Sequence, residues 1–159
     1  MANGRIIRGI DGILSLTTAT NSATPGVTEE IPCLQSWTLE TSASVTEENA
    51  TCMASNGDGG SDVGGAWNET WVEGRSFSLS SEHFWQSDQA AGATAIVDVD
   101  RVGEEMTFKL YPNGNATGAV VYEGKAHIES ISTPSEVNGK IMQSLSYKGN
   151  GALTKSIAP

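Results

Sequence analysis

The sharpest alternation of apolar and polar positions runs from Ala119 to Thr154. From Tyr122 on, the small or apolar side chains Tyr122, Gly124, Ala126 and Ile128 fall on one set of positions. Glu123, Lys125, His127 and Glu129 fall on the other. A period of two is the signature of a strand with one buried face. After turn formers at Thr133, Pro134, Ser135 and Asn138-Gly139, the pattern resumes, with Ile141, Gln143, Leu145 and Tyr147 opposed to Met142, Ser144, Ser146 and Lys148. The segment therefore predicts a β-hairpin that stops at Gly149-Asn150-Gly151, where glycine can take a positive φ or admit a close neighbour.

Other stretches repeat the pattern. Met106, Phe108 and Leu110 alternate with Thr107 and Lys109, and Pro112-Asn113-Gly114-Asn115 turns the chain back. Ile31 to Ser42 sets Trp37, Leu39 and Thr41 against Ser36, Thr38 and Glu40, which makes Trp37 a core residue. Trp71 to Ser81 carries Trp71, Arg75, Phe77 and Leu79 in odd register and reads as a long strand paired with the Trp37 strand; His83, Phe84 and Trp85 follow at its end. At the start, Arg5 to Ile10 and Gly12 to Leu16 flank Asp11-Gly12, a hairpin signal, so residues 1–30 read as a hairpin and arm. Thr17 to Gly26 has nothing large to bury and is a loop, or an arm lying on a neighbour. Residues 43–68 are small, polar and glycine-rich, the composition of one long loop, a feature that in compact domains is usually functional or disordered. Asp88 to Arg101 suits either a short helix capped by Ser87 or Asp88, or a strand through Val97-Asp98-Val99.

These elements make a mainly β chain of 159 residues, one domain by length. No apolar run approaches the roughly 18 to 20 residues that span a bilayer, and no basic segment leads into an apolar one, so a soluble, unsecreted protein without a membrane partner is expected. Two cysteines, Cys33 and Cys52, are too few for a disulfide framework and lack metal-ligand spacing; free thiols are expected, with Cys33 buried.

Charge changes the picture more than composition does. Between Arg8 and Arg75 there is no lysine or arginine, while Asp11, Glu29, Glu30, Glu40, Glu47, Glu48, Asp58, Asp62, Glu69 and Glu73 lie there. Those 10 acids equal the net charge of −10, so an acidic half is joined to a neutral one. Tight binding to phosphate backbones, which depends on lysine and arginine, is disfavoured.

Signals for catalysis are missing. His127 sits on the charged side of a strand and His83 beside aromatics, neither in a metal-ligand pattern. There is no phosphate-binding glycine loop and no nucleophile elbow. Asp98 and Asp100 are ordinary surface acids on a helix or strand. Asn56, Asp58 and Asp62 lack the spacing and closing glutamate of a calcium loop. The sequons at Asn49, Asn68 and Asn115 matter only in a secreted eukaryotic protein. No catalytic residue, cofactor or metal is expected. A second class stays open: a small β-sandwich binding carbohydrate or another ligand on Trp67, Trp71 and Trp85, since aromatic faces stack on such ligands.

One family resemblance sharpens this. Tyr-Glu-Gly-Lys-Ala-His-Ile-Glu-Ser-Ile-Ser from Tyr122, the Pro and Asn-Gly connection, and Ser-Leu-Ser-Tyr-Lys-Gly-Asn-Gly-Ala-Leu-Thr to Thr154 resemble the closing hairpin of the major tail tube proteins of long-tailed bacteriophages. Ser36 to Glu40 and Trp71 to Leu79 resemble that family's earlier strands in the same order, and the likeness spans roughly Ile31 to Thr154. It implies a β-sandwich or barrel with one short flanking α-helix near Asp88 to Arg101, assembling as a homo-hexameric ring that stacks into a tube in the virion tail after synthesis in the host cytoplasm. Tail terminator, tape measure and distal tail proteins are the implied partners, a tail terminator-type ring protein is a close variant, and DNA crosses the lumen without specific binding. Ile31 to Ser42 and Trp71 to Ser81 become the inner strands, with Glu40 and Glu73 facing a lumen that repels phosphates and shows them no basic side chain. Arg75 is then expected to pair with an acid. The 43–68 loop, with Glu47, Glu48, Asp58 and Asp62, becomes the contact between rings.

Overall fold

The computed structural model describes residues 12–20, 22, 25–31, 33–49, 68–84, 99–133 and 141–159. Seven strands follow one another: β1 (Ile13–Thr18), β2 (Thr28–Glu30), β3 (Leu34–Asn49), β4 (Asn68–Phe84), β5 (Glu105–Tyr111), β6 (Val120–Ser132) and β7 (Met142–Ile157). All belong to one sheet in the order β2-β1-β5-β6-β7-β4-β3. The mainly β expectation therefore holds, and among the described strands the sandwich resolves into a single open sheet. The β1–β2, β1–β5, β5–β6, β6–β7 and β4–β7 pairs are all antiparallel. The expected helix lies outside the described residues except for a 3-10 turn at Val99–Arg101.

The organising hairpin is the β6–β7 pair near the middle of the sheet, with Ile128 opposite Tyr147 and Ile131 opposite Leu145. One side of the sheet carries the core. Leu14 and Leu16 of β1, Met106, Phe108 and Leu110 of β5, Ala126 and Ile128 of β6, Leu145 and Tyr147 of β7, and Phe77 and Leu79 of β4 form a single buried cluster. Trp37 and Leu39 of β3 pack on it half-buried, as their alternation requires. This continuous apolar side ties six of the strands, β1 and β3 to β7, together, because each strand alone has nothing against which to bury its apolar positions.

Two glycines in this cluster are there for space. The Phe77 ring lies over Gly149 so closely that a Cβ would come within 2.6 Å of it, and over Gly124 at 3.1 Å; its partner Phe108 is tilted by 57° at a centroid distance of 5.7 Å. Gly149-Asn150-Gly151 is therefore no strand end, and β7 runs on to Ile157. Gly151, at φ +88°, takes up a bulge in which the register steps from Lys125 opposite Asn150 to Glu123 opposite Thr154. A second irregularity at Glu129 keeps Ile128 and Ile131 on the buried side.

Two further expectations change, and a third falls outside the described residues. Ala43 to Asn49 belong to β3 and Asn68 to β4, so these ends of the loop expected over 43–68 are strand; residues 50–67 lie outside the described residues. Cys33 is exposed, in a left-handed conformation at φ +50° just before β3, and its carbonyl accepts from Phe84 N at 3.4 Å and Gln35 Nε2 at 3.2 Å. β1 pairs with β5 and with the short β2, while Arg5 to Ile10, its expected hairpin partner, lies outside the described residues.

The chain divides into two compact units: a main one of residues 1–40 and 76–159, and a smaller one, Thr41–Arg75, which holds the later part of β3 and the earlier part of β4. In the smaller unit Val45, Trp71 and Val72 are exposed, and Ser44 Oγ donates to Glu73 Oε2 at 3.4 Å. In the main unit the loop after β1 is fastened by a part-buried polar cluster. Arg101 Nη1 donates to Ser22 Oγ at 2.9 Å and pairs with Glu104 Oε2 at 3.0 Å, and Ser22 Oγ in turn donates to Glu104 Oε2 at 2.9 Å.

Candidate functional site

With one side of the main unit's sheet filled by core, its chemistry lies on the other side. Cross-strand pairing orders that side into rows. One row joins Glu105, His127, Lys148 and Ser78 on β5, β6, β7 and β4. The next joins Ser130, Ser146 and Ser80, all hydroxyls, and the third joins Ser132, Ser144 and Glu82. The Glu82 carboxylate is oriented by two serines, accepting from Ser36 Oγ at 3.0 Å and from Ser144 Oγ at 3.5 Å. Thr38, Glu40, Ser78, Ser80, Glu129 and Ser146 line an open concavity of about 370 Å³ on this side. Every one of these is a polar position of the alternation, so the sequence that fills the core also builds a hydroxyl-rich, acidic surface behind it.

Toward β5 the surface changes to matched charge. Lys109 Nζ lies 3.6 Å from Glu123, and Glu105 takes Lys125 Nζ at 3.7 Å, His127 Nε2 at 3.9 Å and a hydrogen bond from Asn150 Nδ2 at 2.6 Å. Such exposed pairs contribute little stability and mainly neutralise the field. Around the concavity, Glu40, Glu82 and Glu129 face a single described lysine, Lys148, which has no carboxylate within ion-pair distance among the described residues. Lys148 thus puts a basic side chain on the same side of the sheet as Glu40. The pattern that turns Tyr147 inward turns its neighbour Lys148 outward, opposite Ser78.

The sequence-predicted residues separate. Glu40 is exposed on the even positions of β3, away from Trp37 and Leu39, and lines the concavity. Glu73 is exposed in the smaller unit, on the odd positions of β4. Glu47 is exposed on β3, Glu48 lies in β3 with its side chain outside the described residues, and Asp58 and Asp62 lie outside them altogether. Arg75 is exposed and has no ion pair among the described residues, so its expected partner is not found there. Of the three tryptophans of the ligand-platform reading, Trp71 is exposed, and Trp67 and Trp85 lie outside the described residues. Sequence reasoning missed Glu82 and Glu129 as members of the acidic surface. Their alternation was readable, but which strands lie side by side was not.

The buried titratable groups sit on the core side. His83 is held below its ordinary value by desolvation, an effect that a hydrogen bond with Gln143 partly opposes. Burial pushes the Tyr147 phenol well up, and the nearby Ser81 offsets only part of this; neither hydroxyl completes a hydrogen bond. Among the described residues no group of three potential metal ligands occurs, and no helix is long and apolar enough to cross a membrane.

No protein-family model matches the chain, and no curated protein matches it in sequence. Solved structures do match it in fold. A chain from the tail of an empty gene transfer agent particle with C6 symmetry aligns at a TM-score of 0.66 and 18% identity, covering 94% of this chain and 98% of that one. The SPP1 tail tube aligns at 0.62 and 19%, covering 95% and 79%. A chain of the anti-feeding prophage baseplate, 6-fold symmetrised, aligns at 0.58 and 11%, covering 91% of each. At these identities the likeness is one of fold, and nearly the whole chain takes part in it. The chain has the tail-tube fold.

Proposed function

We propose that this chain is a structural subunit of a phage-type tail tube: six copies close into a ring, rings stack, and the polar side of the main unit lines the bore through which DNA leaves. The observation that carries this is the fold likeness over about nine-tenths of the chain to components of tails and baseplates. An open sheet that ends, among the described strands, in β2 on one side and β3 on the other supports it, because a head-to-tail contact between different edges generates a ring when the rotation closes. In this reading the protein resides in the virion tail, is not an enzyme, and meets tail terminator, tape measure and distal tail proteins at the ends and in the bore.

The wall we assign to Glu40, Glu82 and Glu129 with the serine rows between them. Carboxylates repeated around a ring repel phosphates, and hydroxyls hold water without holding DNA. Lys148 tempers this wall at one row. The smaller unit, with Glu47, Glu73 and residues 50–67, we assign to contact between rings.

Negative-stain electron microscopy of the concentrated protein tests the reading. Long hollow tubes with six-fold end views are expected. A chain that stays monomeric by light scattering at every concentration overturns it, and single rings that never stack point to a terminator-type role instead.

A further inference from the structure

The short strand β2 is built differently from its neighbours. It covers the outer edge of β1 along its length, through Ser15, Leu16 and Thr17 opposite Glu30, Glu29 and Thr28, with Ile31 N donating to Leu14 O at one end and Thr18 N to Val27 O at the other. Leu16 is buried in the core, so Glu29 opposite it stands on the core-side positions of β2. There the Glu29 Oε2 atom is buried and has no hydrogen-bond partner, although the residue as a whole is half-buried. An apolar residue at this position would seal the edge. A carboxylate with one buried, unpartnered oxygen weakens it, and charged residues pointing inward on edge strands are a known means of discouraging edge-to-edge pairing.

We propose that β2 is a replaceable strap: it caps β1 in the free subunit and gives way on assembly to a strand of a second copy, that copy's β3. β3 is the strand at the opposite end of the sheet, it is 16 residues long, and no described strand pairs with its outer side. A ring needs two different edges to meet, and β1 offers a full strand's backbone groups once β2 has left. Glu29 thus keeps the β1 edge openable without leaving β1 bare in solution. The partner, a second copy, rests on the tube reading; the looseness of β2 does not.

Two measurements separate these. Hydrogen exchange on the full chain at low concentration reads the strap directly: the β2 amides and those of β1 that face them are expected to exchange at least tenfold faster than the β5 and β6 amides, and Glu29→Leu is expected to slow them. Equal protection of β2 and β5 in the unaltered chain overturns the strap. The concentration at which tubes first appear reads its role: Glu29→Leu is expected to raise it severalfold, with Glu29→Gln between. If exchange confirms a loose β2 but Glu29→Leu assembles at the unaltered concentration, the replacement is overturned and the tube reading stands; if no variant forms tubes under any condition, the tube reading falls.

Discussion

The main unit and the smaller Thr41–Arg75 unit use the same two strands to opposite ends. Along Leu34 to Glu40 and Ser76 to Phe84, alternate side chains enter a core; along Thr41 to Asn49 and Asn68 to Arg75, the described side chains are nearly all exposed. One strand can therefore be held by apolar burial over half its length and by backbone hydrogen bonds over the rest. Stability should depend steeply on the first half and hardly on the second. Matched aromatic truncations test this most strongly. Phe77→Ala is expected to cost about 3–5 kcal/mol by chemical denaturation, while Trp71→Ala, at a residue 54% exposed, should stay under about 1 kcal/mol. Gly149→Val should approach the first value from the other direction, by forcing atoms into the Phe77 ring. Equal costs at Phe77 and Trp71 would mean that the two regions do not differ as their burial says.

A smaller effect contrasts two ion pairs. Arg101 is buried and shared between Ser22 and Glu104, so Arg101→Ala takes the positive partner from the part-buried Glu104 carboxylate and should cost about 1–3 kcal/mol. Lys125→Ala removes an exposed partner of Glu105 and should cost no more than about 0.5 kcal/mol. Denaturation midpoints of the two variants rank them.

The pH dependence comes from the groups that burial shifts. His83 is held below its ordinary 6.5, so the folded state binds fewer protons than the unfolded one between the two values. Its contribution to stability is constant above 6.5 and is lost as pH falls through 6.5 toward the lowered value. Glu29 is shifted the other way, raised from its ordinary 4.5 by desolvation, so its contribution is lost as pH rises from 4.5 through the raised value. Melting temperatures across pH 4 to 8 should show His83→Gln removing the acid-side loss and Glu29→Gln removing the loss above 4.5. If neither substitution alters the profile, these two groups do not set it.

The same division explains what could be read from the sequence. Phe108, Ile128, Leu145 and Tyr147 announced their strands because each faces a core, and the hairpin around them was legible in full. Ala43 to Asn49 gave no such signal, since Ala43, Ser44 and Val45 are all exposed and alternation has no burial to record there. β2 was hidden for a related reason: three residues, two of them glutamates, do not look like a strand until β1 is beside them. Gly149 misled because glycine commonly ends strands, whereas here it makes room for a ring contributed by a strand more than 70 positions earlier. Of the acidic surface, Glu40 was legible from its own strand. Glu82, Glu129 and Lys148 joined it only through the order β6-β7-β4-β3, which alternation within single strands does not encode.

The smallest expected effect on stability is also the one that separates the two regions by function. Val45 and Val72 are 53% and 59% exposed on the smaller unit. Exposed β-branched residues on a strand favour the extended backbone, so replacing Val45 and Val72 with threonine keeps that preference and removes only apolar surface. The double variant should therefore unfold within about 0.5 kcal/mol of the unaltered chain. Assembly should respond differently. If this unit makes ring-to-ring contacts, an apolar surface left open in the free subunit is where stacking buries area, and the loss of methyl groups there should raise the concentration at which tubes appear while leaving single rings intact. Sedimentation against concentration reads both quantities. A double variant that stacks as the unaltered chain does would assign these valines to strand preference alone and move the inter-ring contact to the acidic residues around Glu47.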